Sequence, residues 1–499
     1  MIVVGVTSRP PSGAGTGWAK AEAEERHRDE EDHDRHDHPR GMELPESGIL
    51  GDDAHEVVGK ADDHGIDEDQ ARRDERAATP GRLGKGRHEV SACRLLKPIK
   101  RGNDDNARPL ATWRKGEETM GWLADETGLE KTRANHVPLT PLSHLSRAAD
   151  LFAAETAVVY GRTRRSYAEY HARVSRLASG LARRGVAPGD VVATILPNVP
   201  AQAEAHFGVP AAGAILNTIN IRLDADTVRY ILDHGGAKVV LVDTAFLPLA
   251  EAALAGMSGR APEIIEVADA EAGIAATGRY LEYEDLLAGG DPAAPWILPD
   301  DEWESIALNY TSGTTGRPKG VVYHHRGAYL MTIVPLFHCN GWCHTWMIPL
   351  LGGTRVCCRD ITARNIYAAI AAERVTHFGG APIVLNTIIN ARPEDRRAFD
   401  HVVEVFTAGA PPPAATLAAI EPLGFNVTQV YGLTETFGHV TECLWKPEWD
   451  GTEGEARAAL KARTGVAMPM MEAATVHDEH GREVPRDARH LGEVVLRGN

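Results

Sequence analysis

Residues 305 to 325 read SIALNYTSGTTGRPKGVVYHH. An apolar strand, Ser305 to Tyr310, runs straight into Thr311, Ser312, Gly313, Thr314, Thr315, Gly316, Arg317, Pro318, Lys319 and Gly320. Glycines let a backbone approach a ligand and adopt positive φ, clustered hydroxyls and free N–H groups donate to phosphate oxygens, and Lys319 adds a cation. The combination predicts a cradle for a polyphosphate. It is not a Walker A sequence, because Lys319 lies three residues after Gly316 and no Ser or Thr follows it. A flexible surface linker would leave the Pro318–Lys319 pair behind an apolar strand unexplained.

TSGTTGRPKG resembles the phosphate-binding signature of the adenylate-forming (AMP-binding) enzymes, the group of acyl-CoA synthetases, luciferases and peptide-synthetase adenylation domains. Two further segments agree in order and spacing. TAGAPPP, Thr407 to Pro413, is similar to the loop on which the family rests the adenine of ATP, which implies contacts at Gly409, Ala410 and Pro411. VYGLTET, Val430 to Thr436, is similar to the signature in which Tyr431 and Gly432 flank the adenine, Thr434 bonds the α-phosphate and Glu435 holds Mg²⁺. A carboxylate is the hard ligand that Mg²⁺ prefers, and a hydroxyl one residue earlier can reach the same phosphate. The resemblance runs from about Met120 to the end, and LPNVPAQAEAHFGVPAAGAILNTINIRL, residues 196 to 223, is similar to acyl-CoA synthetases of small or medium acids.

FHCNGWC, Phe337 to Cys343, lies where the family keeps its acyl-pocket segment, which implies that His338 gates the substrate carboxylate, with Asn340, Gly341 and Gly380 beside it. A satisfied core histidine is the competing reading of His338. The sulfur-rich stretch His338, Cys339, Cys343, His344, Cys357 and Cys358 also offers zinc ligands, but one strand cannot easily aim two adjacent cysteines at one ion.

The implied reaction has two halves. A fatty or aromatic carboxylate attacks the α-phosphorus of Mg-ATP to give an acyl-adenylate and pyrophosphate, and the thiol of coenzyme A then displaces AMP. The partners implied are thus a small carboxylic acid, ATP and CoA. The alternatives are an inactive nucleotide-binding fragment and a stand-alone adenylation domain serving a carrier protein. Relatives continue past GEVVLRGN into a hinge and a small domain with a catalytic lysine, so the chain as given is expected to thiolate poorly. The stretch from Tyr329 to Phe337 is also shorter than the family usually has.

Such residues must be positioned by regular elements. SYAEYHARVSRLASGLARRGV spaces Tyr167, Tyr170, Val174, Leu177 and Leu181 by three and four, which predicts an amphipathic helix stopped at Gly185. DVVATILPN then reads as a buried strand. TVRYILDHGGAKVVLVD repeats helix, break and strand, and AIAAERVTHFGGAP and DHVVEVFTAGAPPP show the same order. The fold class predicted is α/β: mainly parallel sheets flanked by helices in two adenylation subdomains, plus an incomplete β-rich one. Open α/β sheets hold ligands at the carboxyl ends of their strands, so the loops there carry the chemistry.

Composition sets the remaining bounds. A chain of 499 residues, 43% hydrophobic, can bury two or three domain cores. Its net charge of -17 disfavours nucleic acid or an anionic membrane as partner, so phosphate must be held by a local device. Six cysteines are too few for a disulfide framework, and neither a membrane span nor a secretory signal is legible, which together predict a cytoplasmic location. Oligomeric state is unreadable. Residues 1–119 contain no Phe or Tyr and carry runs such as EERHRDEEDHDRHDHPR, composition that predicts a disordered polar extension, with Met120 a candidate true start. Residues 120–499 then form the adenylation domain.

Overall fold

The computed structural model describes Gly5–Thr7 and residues 130–311, 317–333, 342–487 and 489–498. The chain divides into two units, residues 1–12 with 131–499 and residues 13–130. Every strand and helix described belongs to the first. The polar extension, apart from Gly5–Thr7, lies outside the described residues.

Local sequence explains the helices that frame the site. Helix Tyr167–Arg183 starts at a capping box: the Ser166 hydroxyl accepts from the Glu169 N–H, and the Glu169 carboxylate accepts from the Ser166 N–H. All five residues named from its period are buried, and Gly185 takes φ +82° just after the helix. Helix Ala225–Gly235 is capped by the Asp224 carboxylate and stopped by Gly236 at φ +64°.

One sheet has seven strands: β4 (Val191–Ile195), β5 (Ile215–Thr218), β6 (Ala237–Asp243), β7 (Glu263–Val267), β8 (Leu281–Glu282), β9 (Ser305–Tyr310) and β10 (Gly320–His324). Its spatial order is β10-β9-β5-β4-β6-β7-β8, parallel except for the β9–β10 hairpin. The other sheet has nine: β1 (Gly5–Thr7), β2 (Thr156–Tyr160), β3 (Thr163–Ser166), β11 (Thr354–Val356), β12 (His377–Gly379), β13 (Val403–Thr407), β14 (Phe425–Leu433), β15 (Gly438–Glu442) and β16 (Val466–Ala467). These run β16-β15-β14-β13-β12-β1-β11-β2-β3, with β12, β13 and β14 mutually parallel. β17 (Met471–His477) and β18 (Glu493–Gly498) pair antiparallel as a separate ribbon.

Apolar strand faces are covered on both sides, as parallel sheets require. Val192, Leu216, Leu241 and Ile265 face one core with the helices Tyr167–Arg183 and Pro200–Ala211. Ala193, Val240 and Val242 face another with Ala225–Gly235 and Leu247–Ala255. A third core lies between the nine-stranded sheet and Ala363–Glu373, Pro382–Ile389 and Ala414–Ile420.

One expectation needs correction. DHVVEVFTAGAPPP contains no helix: Pro393 and the charged run after it break the chain into a short turn and loop before β13. The segment after Lys319 is a strand, β10, paired antiparallel with β9.

Candidate active site

The loop that begins at Thr311 is closed at its neck. The Thr311 N–H donates to the Lys319 carbonyl (3.0 Å), and the Lys319 N–H donates to the Thr311 hydroxyl (3.1 Å). The Lys319 side chain is exposed at the mouth. Ser312, Gly313, Thr314, Thr315 and Gly316 lie outside the described residues.

β14 runs into a single 3₁₀ turn, Thr434–Thr436, before β15. The Thr436 hydroxyl accepts from the Leu433 N–H (2.9 Å) and donates to the Gly438 carbonyl (2.7 Å), locking the turn. Glu435 is left exposed and Thr434 half-buried. Gly432 has to be glycine, since a Cβ there would meet the Gly438 carbonyl oxygen at 1.8 Å.

The β9–β10 hairpin and this turn are bolted together. The Tyr323 hydroxyl in β10 donates to the Thr434 carbonyl (2.8 Å), and its ring stacks on Phe437 with centroids 4.2 Å apart. His324 approaches the same ring at 4.8 Å. Gly327 passes so close that a Cβ would lie 2.4 Å from Phe437 Cε1. Phe437 holds φ +61°, a left-handed conformation costly for an aromatic residue, so its neighbours must hold it there.

Parallel pairing brings the remaining segments to the same edge. Gly379 pairs with Phe406 and Thr407 with Gln429, so the carboxyl ends of β12, β13 and β14 are neighbours. There stand Gly380, whose N–H donates to the Phe406 carbonyl (2.9 Å), the exposed loop Gly409, Ala410 and Pro411, and half-buried Tyr431. Gly409 takes φ +90°. Beneath this loop the Thr407 hydroxyl and the Gln429 amide oxygen are buried without a hydrogen-bond partner, an open valence at the ligand edge.

His338, Asn340 and Gly341 lie outside the described residues. Helix Trp342–Leu350 carries one buried imidazole, His344, and β15 a second, His439, which sequence reasoning missed. His344 is buried against Gly379, where a Cβ would stand 3.5 Å from its ring. His439 is buried in β15, and burial, with the neighbouring His344 adding to it, holds its pKa well below the ordinary value. Only the antiparallel return of β15 brings His439 back, and its signal in sequence is merely a histidine four residues after Glu435.

Cys357 and Cys358 face opposite sides of the sheet, one in the core under β4 and β5 and the other in the core under β13. Among the described residues no cluster of three or more His, Cys, Asp or Glu is placed to hold a metal. Among them, too, no helix is long and apolar enough to cross a membrane.

Residues 145–499 match the family described as AMP-binding enzyme. The chain is 46% identical over 405 residues to a peroxisomal acetate/butyrate–CoA ligase of Arabidopsis thaliana, spanning 75% of this chain and 71% of that protein. It is 41% identical over 403 residues to a peroxisomal trans-cinnamate:CoA ligase of Petunia hybrida, 74% and 71% covered. Its fold is similar to that of an anthranilate CoA ligase solved with anthranoyl-AMP (TM-score 0.62, 21% identity, 74% and 71% covered). It is also similar to a benzoate CoA ligase from Burkholderia xenovorans (TM-score 0.60, 20% identity, 72% and 71% covered).

Proposed function

The chain belongs to the AMP-binding enzyme family, and we propose that its sheet edge activates a short aliphatic or aromatic carboxylic acid with ATP and passes the acyl group to CoA. The observation that carries this reading is the Tyr323–Thr434 hydrogen bond with the Phe437 stack. It fixes the phosphate-loop stem against the turn bearing Thr434 and Glu435.

Adenylation forms a bond from the carboxylate oxygen to the α-phosphorus and breaks the bond to the bridging oxygen, releasing pyrophosphate. The chain's part is positioning and charge neutralisation. Lys319 and the hydroxyls of the loop 311–315, with Gly313 and Gly316 between them, orient the β- and γ-phosphates. Thr434 bonds the α-phosphate. Gly409, Ala410, Pro411, Tyr431 and Gly432 form the adenine seat. The donor set suits Mg²⁺: Glu435 offers one exposed carboxylate beside a phosphate-facing hydroxyl, and Mg²⁺ takes one or two carboxylates plus substrate oxygens. Bound there it would neutralise developing phosphate charge. The acyl wall is assigned to Gly380 with the His338, Asn340 and Gly341 segment; buried His344 packs against the adjoining Gly379, with His439 beside it. CoA sulfur then attacks the acyl carbon and AMP leaves.

ATP–pyrophosphate exchange with a panel of short, medium-chain and aromatic acids tests this. Exchange is expected with one class of acid and to fall about 10²-fold or more in Lys319→Ala and in Glu435→Ala. Folded protein that exchanges with no acid, or variants as active as the parent, would overturn the reading. A cytoplasmic location remains our reading of the compartment. Four relatives are named peroxisomal, and a fluorescent fusion that collects in peroxisomes would replace it.

A further inference from the structure

Helix Ala225–Gly235 is a fixed element: capped at Asp224 and stopped at Gly236, it buries Val228, Ile231 and Leu232 in the core. Its end carries two rings one helical turn apart, Tyr230 and His234, stacked with centroids 5.2 Å apart. Both reach toward β9. The Tyr310 hydroxyl hydrogen-bonds His234 Nδ1 (2.7 Å), and the Tyr310 ring stands nearly perpendicular to Tyr230 (6.4 Å) and to His234 (5.8 Å). The helix end comes this close because residue 235 is glycine: a Cβ there would lie 3.2 Å from both Leu308 Cδ2 and the Tyr310 hydroxyl oxygen.

Tyr310 is the last residue of β9, immediately before Thr311. On the other side of residues 312–316 stands Arg317, exposed, with its guanidinium carbon over the Tyr230 ring, 5.2 Å from the centroid. A guanidinium in that place is attracted to the electron-rich face of the ring. The end of one helix therefore holds the chain both before and after residues 312–316. It also separates the two cations of GRPKG: Arg317 is taken by the Tyr230 ring, while Lys319 stands exposed at the neck.

We propose that Tyr230 and His234 are positioning residues for ATP, a role that rests on the hold on its β- and γ-phosphates proposed above for the loop. They set where the chain leaves β9, through Tyr310, and where it returns, through Arg317. Lys319 is thereby the cation left to meet the phosphates, and Arg317 serves as an anchor. A segment with glycines at 313 and 316 loses much conformational freedom when it closes on a ligand, and anchoring it on a capped helix beforehand lowers that cost. The effect is exerted on the polyphosphate alone, because adenine and the α-phosphate are assigned to other segments.

Calorimetric titration of the whole chain with ATP and with AMP, both with Mg²⁺ and without acid, tests this. Tyr230→Leu and Arg317→Met are each expected to weaken ATP about two- to fivefold, the size of an exposed cation–π contact, with AMP unchanged. The double variant should bind ATP no more weakly than the weaker single, because both changes remove one contact. His234→Phe, which keeps a ring but loses the bond to Tyr310, should weaken ATP severalfold. Tyr230→Phe keeps the ring face and should bring ATP binding back to near the parent's. In ATP–pyrophosphate exchange the KM for ATP should rise in step while the KM for the acid stays level. Equal loss of ATP and AMP would show a merely structural role and overturn the proposal. Parent-like ATP binding in Tyr230→Leu or His234→Phe would overturn it too, the more plainly if Arg317→Met alone were weakened. A parent that binds ATP yet exchanges with no acid overturns the adenylation reading alone, and one that binds no ATP overturns both.

Discussion

Tyr323 links the β9–β10 hairpin to the turn Thr434–Thr436, so its hydroxyl should matter twice. Tyr323→Phe loses one half-buried hydrogen bond and is expected to cost about 1 kcal/mol in urea denaturation. Its exchange rate should fall severalfold, and an unchanged rate would uncouple the two segments. Buried histidines give the molecule a pH signature. Burial lowers His144 and His325 to about 4 and His206 to about 3. Unfolded imidazole takes a proton near pH 6.5, so below that pH the unfolded chain holds the extra protons and acid favours it. Stability should therefore be level above pH 6.5 and decline steadily toward about pH 4, on the order of 3 kcal/mol per histidine over the full window. Denaturation midpoints that stay level between pH 7.5 and pH 5 would contradict this.

The β14–β15 hairpin depends on the absence of a side chain at Gly432. Gly432→Ala forces a methyl into the Gly438 carbonyl and is expected to cost about 1–3 kcal/mol, read as a drop in melting temperature, with loss of exchange. Elements whose signal is local were legible in sequence. Helix Tyr167–Arg183 announced itself by Tyr167, Tyr170, Val174, Leu177 and Leu181, and β9 by an apolar run ending in turn residues. β10 was not, because GVVYH follows a glycine-rich loop and only its pairing with β9 makes it a strand. The same limit hid Phe437 and His439: their partners Tyr323 and His344 lie about a hundred residues earlier, and no short-range pattern encodes such a meeting. The Thr434–Glu435 and Gly409–Pro411 segments were legible because each carries its residue types in consecutive positions.

The two large sheets are joined through charge. Arg359, just past β11, pairs with Asp243 at the end of β6 (2.6 Å) and with Asp269 after β7 (2.8 Å), and the Tyr160 hydroxyl at the end of β2 donates to Asp269 (2.6 Å). Asp243 and Asp269 are both buried. Arg359→Met would leave two buried carboxylates without their cation and is expected to cost about 3–5 kcal/mol in chemical denaturation. A cost under 1 kcal/mol would mean the carboxylates find water. A second cluster, buried Glu204 with Arg165, Arg173 and the Tyr283 hydroxyl, ties three helices in the same manner. Heat acts on such joints differently from the way it acts on apolar packing. Hydration of free ions becomes less favourable as temperature rises, so the penalty for keeping these charges out of water shrinks while hydrophobic burial gains little more. On warming, the seam between the sheets should therefore outlast the looser apolar margins.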